Sequence, residues 1–102
     1  MGGRAFFHSL LLFRRTAVQW RASTAQEASL ESLALLTRLQ PPVELLLVGC
    51  GSHIEQPPHG LREELRKHNI TLEMLDTRSA LSTFNVLNLE GRRVAAALLP
   101  IN

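Results

Sequence analysis

The chain contains one cysteine, one tryptophan and no tyrosine among its 102 residues. A single cysteine excludes an internal disulfide and a zinc site built from several thiolates, so the fold does not require an oxidising compartment. The shortage of aromatic side chains argues against a protein that stacks the bases of single-stranded nucleic acid. The sequence also predicts no membrane-spanning segment, since an apolar run such as Leu10–Phe13 is far too short to cross a bilayer.

The composition is that of one globular domain. Hydrophobic residues make up 45% of the chain and charged residues 20%, a balance typical of a folded protein. The basic charge is concentrated in residues 1–26, which hold four arginines and no acid. Such a stretch is typical of a mitochondrial transit peptide. It also fits the first part of the fold, with β-rich runs at Ser9–Phe13 and Ala17–Trp20 joined by a turn at Arg14-Arg15. The pattern alone leaves both interpretations open.

Apolar periodicity predicts alternating helices and strands after this start. An apolar stripe predicts a helix over residues 30–39, which the prolines at 41 and 42 end; its members include Leu30, Leu33, Leu36 and Leu39. The later elements are a strand at 43–48, a helix at 58–68, a strand at 70–75, a helix at 79–89 and a strand at 94–99. This alternation predicts an α/β domain in which helices pack on the faces of a small sheet.

The segment Val43–Gly51 is the most informative part of the sequence. Its strand is apolar on both faces, as strands are when both sides of an α/β sheet are covered. The sequence Gly49-Cys50-Gly51 follows at once and predicts a sharp turn. Because α/β proteins usually bind ligands at the carboxyl ends of their strands, Gly49, Cys50 and Gly51 are candidate contacts for a ligand or a partner.

Cys50 is the sharpest candidate for chemistry. The amino terminus of a following helix would lower the pKa of its thiol, and His53 or His59 could serve as the base of a cysteine enzyme. The prolines at 57 and 58 argue against this arrangement because they delay the next helix, and no Cys-His-Asn spacing is recognisable. A small buried or loop cysteine is the favoured interpretation.

Neither a cofactor nor a metal site is predicted. The glycine pair of the turn could open a dinucleotide fingerprint, but Ile54 stands where that motif requires its third glycine. The four histidines, at positions 8, 53, 59 and 68, are not paired at the spacing by which a helix presents two metal ligands. Solvated or capping histidines are therefore the favoured interpretation.

Three further polar residues are candidate site residues. Asp76 follows a predicted strand, where it could act as a general acid or base or, more commonly, cap the next helix or turn. Thr83 and Asn85 flank Phe84 on a predicted helix, and Asn85 is expected at the border of its buried face. A half-buried amide there would cross-link a neighbouring loop, such as the Gly49–Gly51 turn, or present itself to a ligand. The structural role is favoured.

Several short motifs occur in a fairly specific order along the chain. They are Ala17-Val18-Gln19-Trp20, the strand and turn Val43–Gly51, Asp76-Thr77-x-x-Ala80-x-x-Thr83-Phe84-Asn85-x-Leu87, and the closing segment Glu90–Pro100. In this order the chain resembles the family of mitochondrial NADH:ubiquinone oxidoreductase (complex I) assembly factor 3 and its bacterial and archaeal relatives, the Mth938-like domains. The resemblance extends over residues 3–100. It implies a compact three-layer α/β domain with a central mixed β-sheet and helices packed on it.

The resemblance also implies how the chain is organised. Residues 3–20 would belong to the fold, within a single domain over residues 1–102. Members of that family carry a further strand before this point, and mitochondrial members carry a presequence before that strand. A domain truncated at its start, with no import signal evident, is therefore expected. Relatives commonly hold Thr or another residue at the position of Cys50, so a thiol is not expected in any shared chemistry.

The function implied by the resemblance is a non-catalytic role in complex I assembly. The implied partners are another complex I assembly factor and nascent complex I subunits, on the matrix side of the mitochondrial inner membrane, with peripheral association to that membrane left open. The alternative is an enzyme or small-molecule binder that uses the Gly49–Gly51 turn. Nucleic-acid binding through Arg14, Arg15 and Arg21 rests on charge alone and is the least favoured, so no nucleic-acid partner is expected.

Overall fold

The computed structural model describes residues 8–101, and residues 3–7 of the predicted amino-terminal segment lie outside the described residues. The strands are β1 (Ser9–Phe13), β2 (Thr16–Trp20), β3 (Leu45–Gly49), β4 (Thr71–Leu75) and β5 (Val94–Leu98). The α-helices are α1 (Leu61–Arg66) and α2 (Thr77–Leu89), and short 3-10 helices lie at Ala25–Glu27 and Ala34–Arg38. The predicted strands and the two later helices are confirmed, with bounds that differ by at most three residues.

The five strands form one mixed sheet in the order β2-β1-β5-β3-β4. Strand β1 pairs antiparallel with β2 and β5, whereas β3 pairs parallel with β5 and β4. Parallel strands need crossover connections, which α1 and α2 supply between β3 and β4 and between β4 and β5. The carboxyl ends of β3, β4 and β5 therefore lie at one end of the sheet. The turn between β1 and β2 lies at the opposite end, because Phe13 pairs with Ala95.

Alternate residues of the central strands enter two different cores. Leu47 and Ala96 pack with Phe84 of α2 on one face of the sheet. Leu46 and Ala97 enter the larger core on the other face, where α1 and the 3-10 segments pack. Strand β5 is buried at every position because both of its faces are covered. The domain is thus the three-layer α/β arrangement implied by the resemblance.

The predicted α-helix over residues 30–39 is wrong. This segment forms a series of turns followed by a 3-10 helix. The hydroxyl of Thr37 donates a 2.7 Å hydrogen bond to the carbonyl oxygen three residues earlier, and such side-chain bonds compete with α-helical ones. The apolar stripe nevertheless faces the core, since Leu33 and Leu36 are buried.

Gly91 closes helix α2, two residues beyond the last helical residue, Leu89. Gly91 has a φ of +81°, in the left-handed region that glycine tolerates best. Its N–H donates to the carbonyl oxygen of Asn88 at 3.1 Å, and the N–H of Arg92 donates to that of Leu87 at 2.9 Å. These two bonds are the Schellman arrangement that closes many helices. Neither α-helix within residues 8–101 has the length and apolar character of a membrane span.

Candidate functional site

The Gly49-Cys50-Gly51 turn lies at the carboxyl end of β3, beside the ends of both parallel neighbours. The N–H of Cys50 donates to the carbonyl oxygen of Leu75 in β4 at 2.8 Å. On the other side, the N–H of Leu99 donates to the carbonyl oxygen of Gly49 at 2.9 Å. The sequence predicted the turn at this end of a central strand, and the backbone of the turn is bonded to both adjacent strand ends.

Thr77, the first residue of α2, holds the turn in place through buried hydrogen bonds. Its side chain is fully buried. The hydroxyl accepts a 2.8 Å hydrogen bond from the N–H of Gly51 and donates a 2.8 Å hydrogen bond to the carbonyl oxygen of Leu99. The N–H of Thr77 in turn donates to the carbonyl oxygen of Gly51 at 2.8 Å. One side chain thus satisfies polar groups from two different strand ends, which would otherwise be buried without partners.

Glycine at position 49 leaves room for Thr77, at the start of α2, to lie close to β3. Position 49 lies on the same face of β3 as Leu47, toward α2. A Cβ atom on Gly49 would lie 2.8 Å from the Cα atom and 2.9 Å from the Oγ1 atom of Thr77. The missing side chain therefore lets the start of α2 approach β3 closely, which is a structural reason for glycine here.

Cys50 lies on the opposite face of the turn and is buried in the larger core. Burial raises the pKa of its thiol, and the negative charges of Glu55 and Asp76 raise it further. An activated cysteine has the opposite property, because nucleophilic attack needs the thiolate at neutral pH. The thiol lies 3.8 Å from the carbonyl oxygen of Val48 and 4.0 Å from that of Glu55, distances of weak S–H donation.

The bases considered for Cys50 are not arranged as a catalytic pair with it. His53 lines the same cleft of about 270 Å³, but its Nδ1 atom lies 3.1 Å from the hydroxyl of its neighbour Ser52. His59 does not line this cleft. Helix α1 begins only at Leu61, so its amino terminus does not follow the turn directly. A phosphate-binding helix of the dinucleotide type does not follow the glycine pair for the same reason.

Asp76 caps α2. Its Oδ2 atom accepts a 3.1 Å hydrogen bond from the N–H of Ser79, which is the contact of an N-cap residue. Hydrogen bonds from the hydroxyl and the N–H of Ser79 lower the pKa of the Asp76 carboxyl. The side chain is therefore ionised at neutral pH and bound to its own helix, in the capping role that the sequence favoured.

Thr83 and Asn85 do not join the turn. Both lie along α2, well past its first residue, and Asn85 is exposed rather than half-buried. The expected link from Asn85 to the turn is therefore wrong, and Thr77 makes that link instead. A cross-linking amide does exist on α2, at Asn88, whose Nδ2 atom donates a 2.8 Å hydrogen bond to the carbonyl oxygen of Arg14. Ligand or partner contact by Thr83 and Asn85 stays a prediction.

A second cleft, of about 430 Å³, lies at the opposite end of the sheet. Four arginines line it, from the β1–β2 turn and from the segment between α2 and β5: Arg14, Arg15, Arg92 and Arg93. Arg21, grouped with the first two in the nucleic-acid interpretation, lines other clefts. The sequence reasoning missed this cluster because Arg15 and Arg92 are 77 positions apart in the chain, and only the antiparallel pairing of β1 with β5 brings the two arginine pairs together.

Metal ligands are not clustered in the described part of the chain. Among residues 8–101, no three His, Cys, Asp or Glu side chains are grouped so that they could hold one ion. The arrangement at the Gly49–Gly51 turn is a buried hydrogen-bonded joint between strands and helix. The backbone groups of the turn are bonded within the domain, and contact of Gly49, Cys50 and Gly51 with a ligand or partner stays a prediction.

The sequence of this chain is similar to those of several known proteins. Residues 1–99 match the family described as "Protein of unknown function (DUF498/DUF598)". A zebrafish (Danio rerio) protein named "NADH dehydrogenase [ubiquinone] 1 alpha subcomplex assembly factor 3" is 36% identical over 98% of this chain and 58% of its own length. An uncharacterized protein of Rhodobacter capsulatus is 40% identical over 90% of this chain and 68% of its own length. The chain spans about half the length of the curated relatives that carry the assembly factor name, from 46% to 58%.

The fold is also found in a solved structure. The solution structure of a Bordetella pertussis protein, described as an Mth938-like domain, matches 93% of this chain and 75% of its own chain with a TM-score of 0.78 at 24% identity. This likeness concerns the fold alone. Together with the sequence matches it confirms the resemblance inferred from the motifs. The chain belongs to the DUF498/DUF598 family; its fold is that of an Mth938-like domain, and its sequence is similar to those of proteins named "NADH dehydrogenase [ubiquinone] 1 alpha subcomplex assembly factor 3".

Proposed function

We propose that this chain is a non-catalytic assembly factor for mitochondrial respiratory complex I and that it acts by binding other proteins. The observation that carries the proposal is the match of a relative named "NADH dehydrogenase [ubiquinone] 1 alpha subcomplex assembly factor 3" to 98% of this chain. The acting unit is the single domain of residues 1–102.

The Gly49–Gly51 turn supports the non-catalytic part of the proposal. Its backbone groups are bonded to Thr77, Leu75 and Leu99 within the domain. The raised pKa of the Cys50 thiol opposes its use as a nucleophile. The turn is therefore better suited to joining β3, β4, β5 and α2 than to turning over a substrate.

The proposed partners are another complex I assembly factor and nascent complex I subunits. The proposed location is the matrix side of the mitochondrial inner membrane, where the protein would act on subunits before they join the enzyme. Peripheral attachment to that membrane is part of the same proposal.

Affinity purification from mitochondria tests this directly. The tagged chain, joined to a mitochondrial import sequence, is expressed in cells that lack their own assembly factor 3. We expect quantitative mass spectrometry to find complex I subunits and a second assembly factor enriched over a tagged matrix protein of similar size. Retention of these partners by Cys50→Ser, which keeps the size of the side chain, would show that the thiol is not needed for partner binding. Lack of enrichment with the folded wild-type chain would contradict the proposal.

A further inference from the structure

The cleft with four arginines lies at the end of the sheet away from the Gly49–Gly51 turn. Arg14 and Arg15 form the two-residue connection between β1 and β2, and Arg92 and Arg93 lie between α2 and β5. The cleft has a volume of about 430 Å³, and no acidic residue lines it. We call the cleft that these four residues line the arginine cleft.

The turn that presents the first pair is built against local preference. Arg14 has a φ of +56°, in the left-handed region where Asn and Gly are favoured in two-residue hairpin turns. Asn88 binds its carbonyl oxygen at 2.8 Å, and the Arg14 Nη2 atom donates to the carbonyl oxygen of Pro41 at 3.1 Å. These contacts hold a conformation that arginine rarely adopts. Conformations of this kind are enriched at functional sites.

The second pair is fixed by the end of α2. The left-handed turn at Gly91 places Arg92 and Arg93 directly after the helix. Both side chains are about half exposed, at 53% and 50%, and share one carboxylate, that of Glu44, at 3.9 and 3.8 Å. Ion pairs at such distances and exposures contribute little. One carboxylate for two guanidinium groups leaves the arginine cleft with an excess of positive charge.

Apolar surface lies next to these charges. The buried side chains of Phe13, Val43 and Val94 form part of the wall of the cleft. Leu89, the last residue of α2, also lines it and is 89% exposed. A single exposed leucine is ordinary on a protein surface. A leucine beside four arginines in one concave site gives a surface that is both basic and apolar.

We propose that the arginine cleft binds an acidic segment of a partner protein that also carries an apolar side chain. Guanidinium groups bind carboxylates through paired hydrogen bonds, and the planar fork suits recognition of carboxylates in a partly desolvated site. Leu89 and the apolar wall supply the contact for the apolar side chain. The concavity favours an inserted peptide over a flat lipid surface. This inference rests on the proposed function, since it names the surface and the partner chemistry of the interaction.

The test uses defined probes and the full chain. Twelve-residue peptides that contain Glu and Leu in varied order are titrated into the isotope-labelled protein, with the same peptides carrying Gln in place of Glu as controls. We expect the Glu peptides to shift the backbone amide signals of Arg14, Arg15, Leu89, Arg92 and Arg93. The Gln peptides should leave these signals unchanged, because they lack the carboxylates.

Matched variants assign the effect to the cleft. Arg92→Gln with Arg93→Gln should weaken binding about tenfold or more, since two charge-assisted contacts are lost. Arg66→Gln with Arg78→Gln removes the same charge from exposed positions outside the cleft and should change affinity less than about twofold. Unchanged amide spectra away from the substituted residues show that each variant is folded.

Several outcomes would overturn the inference. One is no saturable binding of any Glu peptide up to about 1 mM, a concentration that would detect a binding free energy of about −4 kcal/mol. Another is equal weakening by both pairs of substitutions. Shifts of the cleft signals by inorganic phosphate, or by vesicles of phosphatidylcholine and phosphatidylglycerol, without shifts by the Glu peptides would assign the cleft to a different ligand. The assay contains no complex I, so a negative result contradicts the arginine cleft and leaves the assembly role to be judged by the purification experiment.

Discussion

The hydroxyl of Thr77 lies 2.8 Å from the backbone nitrogen of Gly51. The same oxygen lies 2.8 Å from the carbonyl oxygen of Leu99. Because Thr77 is fully buried, water does not compete for either bond. This one side chain joins the turn after β3 to the start of α2 and the end of β5, and it gives the Gly49–Gly51 turn a structural role.

Removal of the Thr77 hydroxyl should therefore destabilise the domain strongly. Thr77→Val keeps the shape of the side chain but leaves the N–H of Gly51 and the carbonyl oxygen of Leu99 without this partner. Each such group costs about 1–3 kcal/mol, so we expect the two together to lower the free energy of unfolding, measured by urea denaturation, by about 2–6 kcal/mol.

Thr77→Ser is the matched control, because it keeps the hydroxyl and removes only a methyl group. Its loss should be about 1 kcal/mol. If the Val variant were as stable as the Ser variant, the hydrogen bonds of the hydroxyl to Gly51 and Leu99 would not stabilise the domain.

Gly49→Ala should also destabilise the domain, because the new methyl group would meet the backbone of Thr77 at 2.8 Å. We expect a loss of about 2–3 kcal/mol, in the upper range for overpacking in a core. Gly91→Ala is the control, since its added Cβ meets nothing within 4 Å. It should lose about 1 kcal/mol, from its left-handed backbone alone. Equal losses of stability at the two positions would show that the close approach of Thr77 is not the reason for glycine at position 49.

Cys50 should react slowly in the folded protein. Burial raises the pKa of the thiol, so the thiolate fraction at pH 8 is smaller than that of an ordinary cysteine. We expect alkylation by iodoacetamide to be at least about tenfold slower in the folded chain than in the chain unfolded in urea, and to accelerate as the pH rises. Faster reaction in the folded chain would indicate an activated nucleophile and would support the enzyme alternative.

Asp76 should make the stability of the domain depend on pH in the acidic range. Hydrogen bonds from Ser79 lower the pKa of Asp76 below its value in the unfolded chain. The stability this provides is fully present above the unfolded pKa and is lost as the pH falls through the folded pKa. Asp76→Asn can still cap the helix but does not titrate. The melting temperature of the Asn variant should therefore fall less than that of the wild type between pH 7 and about pH 3. An equal fall in melting temperature for the two proteins would argue against this carboxylate as the cause of the pH dependence.

Much of the fold could be predicted because its strands are short apolar runs bounded by clear turn signals. The segment 30–39 shows where that reasoning failed. Leu30, Leu33, Leu36 and Leu39 recur at intervals of three, which matches the 3.0 residues per turn of a 3-10 helix better than the 3.6 of an α-helix. The stripe predicts the buried face correctly, but an interval of three does not support an α-helix.

The joint at Thr77 could not be predicted in the same way. Its two bonds connect residues 26 and 22 positions apart in the chain. They exist only because β3 lies next to both β4 and β5, and strand order is not contained in local periodicity. Asp76 was correctly seen as a cap, since that contact is local. The prediction that Asn85 is half-buried was wrong, because a position near the edge of an apolar stripe does not determine how exposed a side chain is.

Rescue of complex I assembly tests the central claim most directly. Cells that lack their own assembly factor 3 receive the chain with an import sequence, either as wild type or as Cys50→Ala, and assembled complex I is measured on native gels. The account predicts that both chains restore the enzyme to the same level. Failure of the folded, imported wild-type chain would contradict the assembly role, and restoration by the wild type but not by a folded Cys50→Ala would contradict the non-catalytic role of the turn.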